Sequence, residues 1–434
     1  MVAKRKVVIT GLGLATPLGL EVEENWQKAL SGVSGISRLS LPGTEKLPIK
    51  AVGEIKENNW NKIKKKFPKE ALAEGERRTL FALWAAQSAL NDGGLLNCRL
   101  RKDFCGVVIA AGLGINRPED IYKYVTGKRQ FDFVKFGKEC DKLSKESIIK
   151  NNSSRPSALI ARKFGLYGTN GTITSACASA TQAIGIGCNA IRGGDADLIV
   201  AGGADSMINP IGLVFFVLLN AASVSSDNPQ KICRPFDRKR SGLVMGEGAG
   251  VIILEEESHA LKRGARIYAE VAGYGSSMDA YKVTAPHPDG RGAEKSMKNA
   301  LDDACMDIDD IDYINAHGTS TKLNDVAETL AIKKVFKENA HKISISSSKS
   351  LIGHLIAASG GPEFVFTTLS VHRNEIHPTI NLTNPDPKCD LDYVSSGKKK
   401  RIVRAALSNS FGFGGQNASI IVKKYDQKHS NNGR

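Results

Sequence analysis

Short apolar runs bounded by glycine recur along the chain, and between them apolar residues return every three or four positions. VVITGLG from Val7, GVVIAAG from Gly106, DLIVAGGAD from Asp197 and GAGVIILEE from Gly248 have the length and continuity of buried strands. Arg77–Leu90 carries its apolar residues at helical spacing. A second set begins near Arg263: RIYAEVAGYG predicts a strand, Gly292–Ala304 a helix and IDYINAHG another strand, while KISISSSKS and RIVRAALSNSFGFGG repeat the strand-then-loop pattern. Strands alternating with helices predict an α/β protein of packed sheets. Each set opens on a strand and a glycine turn (VVITGLG, YAEVAGYG), which predicts two duplicated halves, 1–263 and 264–434, sharing one core without a linker. The polar tail 428–434 is expected to fray.

Composition narrows the class. With 434 residues, 41% hydrophobic and 24% charged, the chain can bury a large core and lacks the bias of a disordered protein. The formal net charge of +15 suits nucleic acid, anionic lipid or an acidic protein. No zinc finger and no RNP-like strand with interleaved aromatics supports the first, so the basic surface reads as a solvated face or a site for an acidic partner. Eight cysteines show no CxxC spacing, which points to a reduced cytoplasm. Glycine, threonine and proline interrupt the N-terminal apolar stretch, arguing against a signal peptide. The longest apolar run, Ile211 to Leu219, is half of what a membrane span needs, so a soluble protein without membrane insertion is expected.

Candidate chemistry gathers at strand-to-helix joints. Cys177 follows a short strand predicted at Thr172–Thr174 and precedes a helix of small residues. Free N–H groups and partial positive charge at a helix N-terminus favour a thiolate there. An isolated buried cysteine is more often inert. Two histidines and a lysine at comparable joints shift the balance: His317 ends the strand of YINAHGTST, and Lys349 and His354 stand five apart in SSSKSLIGHL. Strand ends of α/β sheets are where catalytic loops collect.

The segments SACASA, NAHGTST, SSKSLIGH and SNSFGFGG, in this order, together with RPFDRKRSGLVMGEGAG and PTINLTNPDPKCDLDYV, resemble the β-ketoacyl-[acyl carrier protein] synthases from about residue 5 to 424. The Cys–His–His set resembles the elongating type. The resemblance implies a thiolase-like, five-layered αβαβα fold and a decarboxylative condensation in fatty-acid elongation, with Cys177, His317, His354 and Lys349 catalytic. It implies oxyanion donors at the backbone N–H of Cys177 and Phe413, and a gating loop of Phe411, Gly412, Phe413 and Gly414. Thr319, Thr321 and Thr284 would meet the phosphopantetheine arm of the carrier protein, and Leu113 would belong to the acyl pocket. Asn315, Glu363, Ser408 and Asn409 match positions that hold a monovalent cation in some members; no other cofactor is implied. An acidic acyl carrier protein is the implied partner of Lys64, Lys65, Arg77, Arg78 and Arg129, and a homodimer the implied assembly.

Three rivals stand beside this reading: a freestanding ketosynthase of a polyketide or aryl-polyene pathway, a non-catalytic chain-length factor, which Cys177 argues against, and a basic nucleic-acid-binding protein. Two segments depart from the family pattern. Ala357-Ala358-Ser359-Gly360-Gly361 replaces the usual Gly-Ala-Ala-Gly-Ala, with Pro362 next, where a proline would kink a helix. GLVFFVLLNAASV is more apolar than the family's substrate-side loop and would widen an acyl-pocket wall or a subunit contact.

Overall fold

The computed structural model describes residues 5–74, 76–114, 122–127, 130–142 and 152–426. Arg129 and the tail 428–434 lie outside the described residues. The apolar runs form strands β1 (Val7–Ala15), β2 (Cys105–Ala111), β3 (Asn170–Ile173), β4 (Leu198–Ser206) and β5 (Glu247–Glu256) in the first half. The second half holds β6 (Ala269–Met278), β7 (Tyr313–Asn315), β8 (Ser344–Ser346), β9 (Ala405–Phe411) and β10 (Gln416–Lys423). The last of these was not among the predicted strands, although QNASIIVK carries a buried apolar run.

The sheet order is β8-β7-β9-β10-β6-β1-β5-β4-β2-β3. Counted from the first strand of each half, both halves read 3-2-4-5-1. Directions repeat as well: strand 2 is parallel to strands 3 and 4, and strand 5 is antiparallel to strands 4 and 1. A short seam joins the half-sheets, where Val8 faces Glu270 and Ile9 faces Ala269.

Helix α1 (Arg77–Asp92) covers the outside of β1, β5 and β4, and further along the chain α4 (Arg291–Ala304) covers β6 and β10. Between them in sequence come α2 (Ser179–Gly193) and the apolar α3 (Pro210–Leu218), and after them α5 (Lys322–Phe336) and α6 (Gly360–Arg373). Helices α2 and α6 pack between the two half-sheets and on each other. The layers are therefore helix, sheet, helix, sheet, helix. Strands buried on both faces carry near-continuous apolar runs, as β1, β4 up to Ala204 and β5 from Gly248 to Leu254 do. Pro362 does not kink α6. It is the third residue of the helix, where its missing N–H would have had no partner inside the helix. Among the described residues no helix is long and apolar enough to cross a membrane.

Candidate active site

Cys177 stands at a tight elbow. The chain leaves β3 at Ile173, Ala176 takes the left-handed region at φ 50°, and α2 begins at Ser179. The helix thus opens two residues beyond Cys177 rather than immediately after it. Ser179 Oγ accepts from Ser175 N–H at 2.7 Å and donates to the Ala176 carbonyl at 2.6 Å, which pins the elbow. The cysteine is 4% exposed.

His317 follows β7 by two residues. Glu328 of α5 holds this turn, its two oxygens accepting from the N–H groups of His317 and Gly318 at 2.8 Å each. Gly318 lies at φ 38°, and a Cβ there would come 2.7 Å from the Ser347 Cβ, so the turn needs glycine. Lys349 starts a one-turn helix after β8 and donates to Glu363 Oε1 at 2.5 Å and to His317 Nδ1 at 3.2 Å. Lys349 and Glu363 are both buried.

His354 follows two residues after that short helix. Its Nδ1 accepts the Ile356 N–H at 3.0 Å and lies 2.8 Å from Ser359 Oγ, while Nε2 is buried without a partner. An Nδ1 that accepts carries no proton, so the neutral ring holds its hydrogen on Nε2. By the same logic, donation from Lys349 leaves His317 with its hydrogen on Nε2. The two rings meet edge to face with centroids 5.4 Å apart. Cys177, His317 and His354 each present a donor atom within 4.8 Å of the other two. Three sequence positions up to 177 residues apart thus face one another.

Burial sets the protonation states. It holds both imidazoles well below their ordinary value of 6.5, with Lys349 adding repulsion. The Cys177 thiol is pushed up to about 11, because burial outweighs the lowering by Lys349 and by the Phe413 N–H. Burial therefore favours the thiol at Cys177, where the sequence pattern had favoured a thiolate. Glu328 is raised to about 7 and Asp205 to about 6, each chiefly by burial.

A cavity of about 210 Å³ reaches this cluster. Thr284, Thr319, Thr321 and Lys322 line it together with Cys177, both histidines, Phe411, Gly412 and Phe413. Thr319 and Thr321 share a hydrogen bond of 2.9 Å. Gly414 bonds the Val283 carbonyl at 2.6 Å and Gly412 N–H bonds Gln416 O at 2.7 Å, so the loop is tied down on both sides. Phe413 stacks on Phe216 of α3 and joins an apolar cluster with Ile208, Leu213, Met245 and Ile356. That cluster accounts for one face of the unusually apolar segment. Leu219 lines the cavity directly.

Several expected residues fall elsewhere. Leu113 is 65% exposed just beyond β2 and does not line the cavity of its own chain. Arg78 is buried, donating to the Gly112 carbonyl at 2.8 Å, and Arg77 is held by Glu247 at 2.5 Å and lies over Trp60; neither is a free docking residue. Both start α1, where internal acceptors attract a guanidinium away from solvent. Lys65 is exposed and Lys64 partly so. Asn315, Glu363, Ser408 and Asn409 are all buried near one another: Ser408 pairs with Asn315 across β7 and β9, and Asn315 Nδ2 donates to the Glu363 carbonyl at 3.0 Å. Glu363 Oε2 and Ser408 Oγ are buried oxygens without a protein partner. Residues that sequence reasoning missed are Glu328, Ser359 and Asp205, whose carboxylate accepts from the Ala357 N–H at 3.0 Å. Only Ser359, as a departure from pattern, had left a signal.

The family models "Beta-ketoacyl synthase, N-terminal domain" and "Beta-ketoacyl synthase, C-terminal domain" match residues 4–260 and 268–383. A "3-oxoacyl-[acyl-carrier-protein] synthase 2" of Synechocystis is 40% identical over 97% of this chain and 99% of its own. The protein of that name from Staphylococcus aureus strain COL is 37% identical over 98% of this chain and 100% of its own. Among solved structures, a chain of the AntDE:AntF assembly, a type II polyketide acyl-carrier protein in complex with its ketosynthase, superposes with a TM-score of 0.86 at 33% identity, covering 98% of this chain and all of that one. A β-ketoacyl synthase from Burkholderia phymatum gives 0.85 at 33% identity, over 97% of this chain and all of its own.

Proposed function

This chain belongs to the β-ketoacyl synthase family, and we propose that it elongates an acyl chain in fatty-acid synthesis by condensing an acyl thioester with malonyl-[acyl carrier protein]. The observation that carries this reading is the buried meeting of one thiol with two neutral imidazoles that line one cavity while their Nδ1 atoms already accept hydrogen bonds. A general base would need a free nitrogen lone pair; this pair offers donors.

In the first stage the Cys177 sulfur attacks the acyl carbonyl. The thiol proton leaves with the departing pantetheine sulfur, and the transient oxyanion accepts from the N–H groups of Cys177 and Phe413. In the second stage the malonyl thioester oxygen accepts from His317 and His354. The bond to the malonyl carboxylate breaks, carbon dioxide leaves, and the electron pair forms an enolate stabilised by those two donors. The enolate carbon attacks the acyl-cysteine carbonyl; collapse returns the sulfur, which takes up a proton, and releases the 3-oxoacyl thioester. Lys349 acts through His317, as a positioning residue tied to Glu363.

Thr284, Thr319 and Thr321 line the path of the pantetheine arm, and Phe413 gates the way toward Ile208, Phe216 and Ile356. An acidic acyl carrier protein is the partner, drawn by the net charge of +15, with Lys64 and Lys65 as contacts. The enzyme acts in the cytoplasm as a homodimer, in which Leu113 meets the neighbouring subunit's acyl pocket. Glu363 and Ser408 fit a monovalent cation, because their orphaned oxygens would otherwise be buried at a cost. A second reading, a polyketide ketosynthase, draws on the likeness to the AntDE:AntF assembly. Condensation assays with malonyl-carrier and acyl-carriers of graded length separate the two. Saturated acyl chains elongated by wild type and not by Cys177→Ala support the fatty-acid reading; turnover of poly-β-keto chains alone would refute it.

A further inference from the structure

We propose that the Ser359 hydroxyl is a positioning residue for His354, locking the ring in the orientation and tautomer that aim Nε2–H at the substrate oxygen. This rests on the condensing reading above. Ser359 stands immediately before α6, where serine is a favoured helix cap, yet its side chain caps nothing in that helix. Its Oγ instead lies 2.8 Å from His354 Nδ1. The direction of this bond is determined by its neighbour. The Ile356 N–H can only donate, and it already points at the same Nδ1 at 3.0 Å. Nδ1 is therefore an acceptor, and the serine O–H donates.

Both groups are buried, Ser359 at 1% and His354 at 1% exposure, so water cannot replace a lost donor cheaply. The backbone donor comes from a residue under strain: Ile356 sits at φ 47°, a costly region for a β-branched side chain. A single bond from such a turn would hold the ring weakly. The serine adds a second anchor from the rigid start of α6. The turn between them is tied from behind by Asp205, which accepts the Ala357 N–H. Converting His354 to imidazolium puts a proton on Nδ1 and so opposes both donors at once.

The other titratable groups facing His354 are Cys177, His317 and Lys349, with Glu363 paired to that lysine and Asp205 behind the turn near Arg78. None of them is altered by substituting Ser359. Removing the hydroxyl leaves one donor on Nδ1, so the ring protonates more readily and wanders more.

The test is the pH dependence of malonyl-carrier decarboxylation and of condensation in the intact enzyme, compared among wild type, Ser359→Ala and Ser359→Thr. With Ser359→Ala, kcat is expected to fall about three- to ten-fold, the worth of one buried hydrogen bond, while KM for malonyl-carrier stays unchanged. The acidic limb of the profile moves to higher pH. The threonine variant keeps a hydroxyl and returns the limb toward wild type. A limb and a kcat that do not move in the alanine variant would overturn the proposal, while wild-type turnover in the same assay leaves the condensing reading intact. If the alanine variant does not fold, Ser359→Cys, which keeps the volume but donates only weakly, replaces it in the same pH profile: an acidic limb moved to higher pH supports the proposal, and a limb at the wild-type position overturns it.

Discussion

Gly412 sits against Cys177 so closely that a Cβ on the glycine would lie 3.1 Å from the cysteine's backbone nitrogen. The same Cβ would stand 3.2 Å from the Ser175 carbonyl and 3.3 Å from Ala178 N. The missing side chain is what lets the Phe413 N–H reach the cysteine sulfur. The glycine's own φ of −107° is open to any residue, so the constraint is contact rather than backbone strain. Gly412→Ala is therefore expected to lift the loop by a few tenths of an ångström and displace one oxyanion donor. Self-acylation of Cys177, followed by mass spectrometry, should slow by about tenfold or more, since loss of an oxyanion donor costs on the order of 100-fold. Unchanged acylation would remove Phe413 from the oxyanion site.

Cys177→Gln places an amide where an acylated cysteine would be. Decarboxylation of malonyl-carrier should persist in this variant, because His317 and His354 act on the malonyl oxygen without the sulfur. Condensation should vanish, since no thioester can form. Release of labelled carbon dioxide measured beside product formation checks both halves, and a loss of decarboxylation would sink the division of labour.

Lys349→Met leaves the Glu363 carboxyl buried without its cation. Stripping one partner from a buried ion pair costs about 3–5 kcal/mol, so thermal or urea unfolding should show a loss of that order. Lys349→Met combined with Glu363→Gln should regain part of the stability, because no lone charge remains. It should not regain activity, since His317 Nδ1 still lacks its donor. Equal instability in the single and double variants would refute the pairing argument.

Burial pushes the Cys177 thiol up to about 11, and only the thiolate is alkylated rapidly. Its pKa lies above the ordinary thiol value, so the reactive form is scarce at neutral pH and grows as pH rises toward that value. Alkylation by iodoacetamide should climb about tenfold per pH unit across the neutral range rather than levelling off. Both imidazoles titrate well below 6.5, so neither should add an inflection above that value. A plateau beginning near neutrality would show that a local field overcomes burial.

The strands were legible because a strand buried on both faces carries a near-continuous apolar run, as Val7–Ala15 and the stretch 248–254 do. Helix Arg291–Ala304 was legible because one polar face wets and one apolar face packs, and Arg77–Asp92 because its apolar residues recur at helical spacing although most of it is buried. Strand β10 escaped because it follows β9 after only four residues, and its apolar run reads as the tail of one long segment. The motif residues Cys177, His317 and His354 could be singled out by their places at strand ends and by resemblance.

What those residues do to one another could not be read along the chain. Arg77 and Arg78 look like surface cations in sequence, yet the fold turns one inward to a backbone carbonyl and the other to a buried glutamate. A charge's meaning depends on its acceptors, and acceptors come from distant segments. The chain by itself determined the alternation of strands and helices and the identity of its reactive groups, because periodicity and residue chemistry are local. Only the tertiary structure decided that Cys177 rests as a thiol, that both histidines keep their hydrogen on Nε2, and that Ser359 serves His354 instead of its own helix. Those outcomes depend on burial and on which donor meets which lone pair, and both arise when strand ends far apart in sequence are packed together.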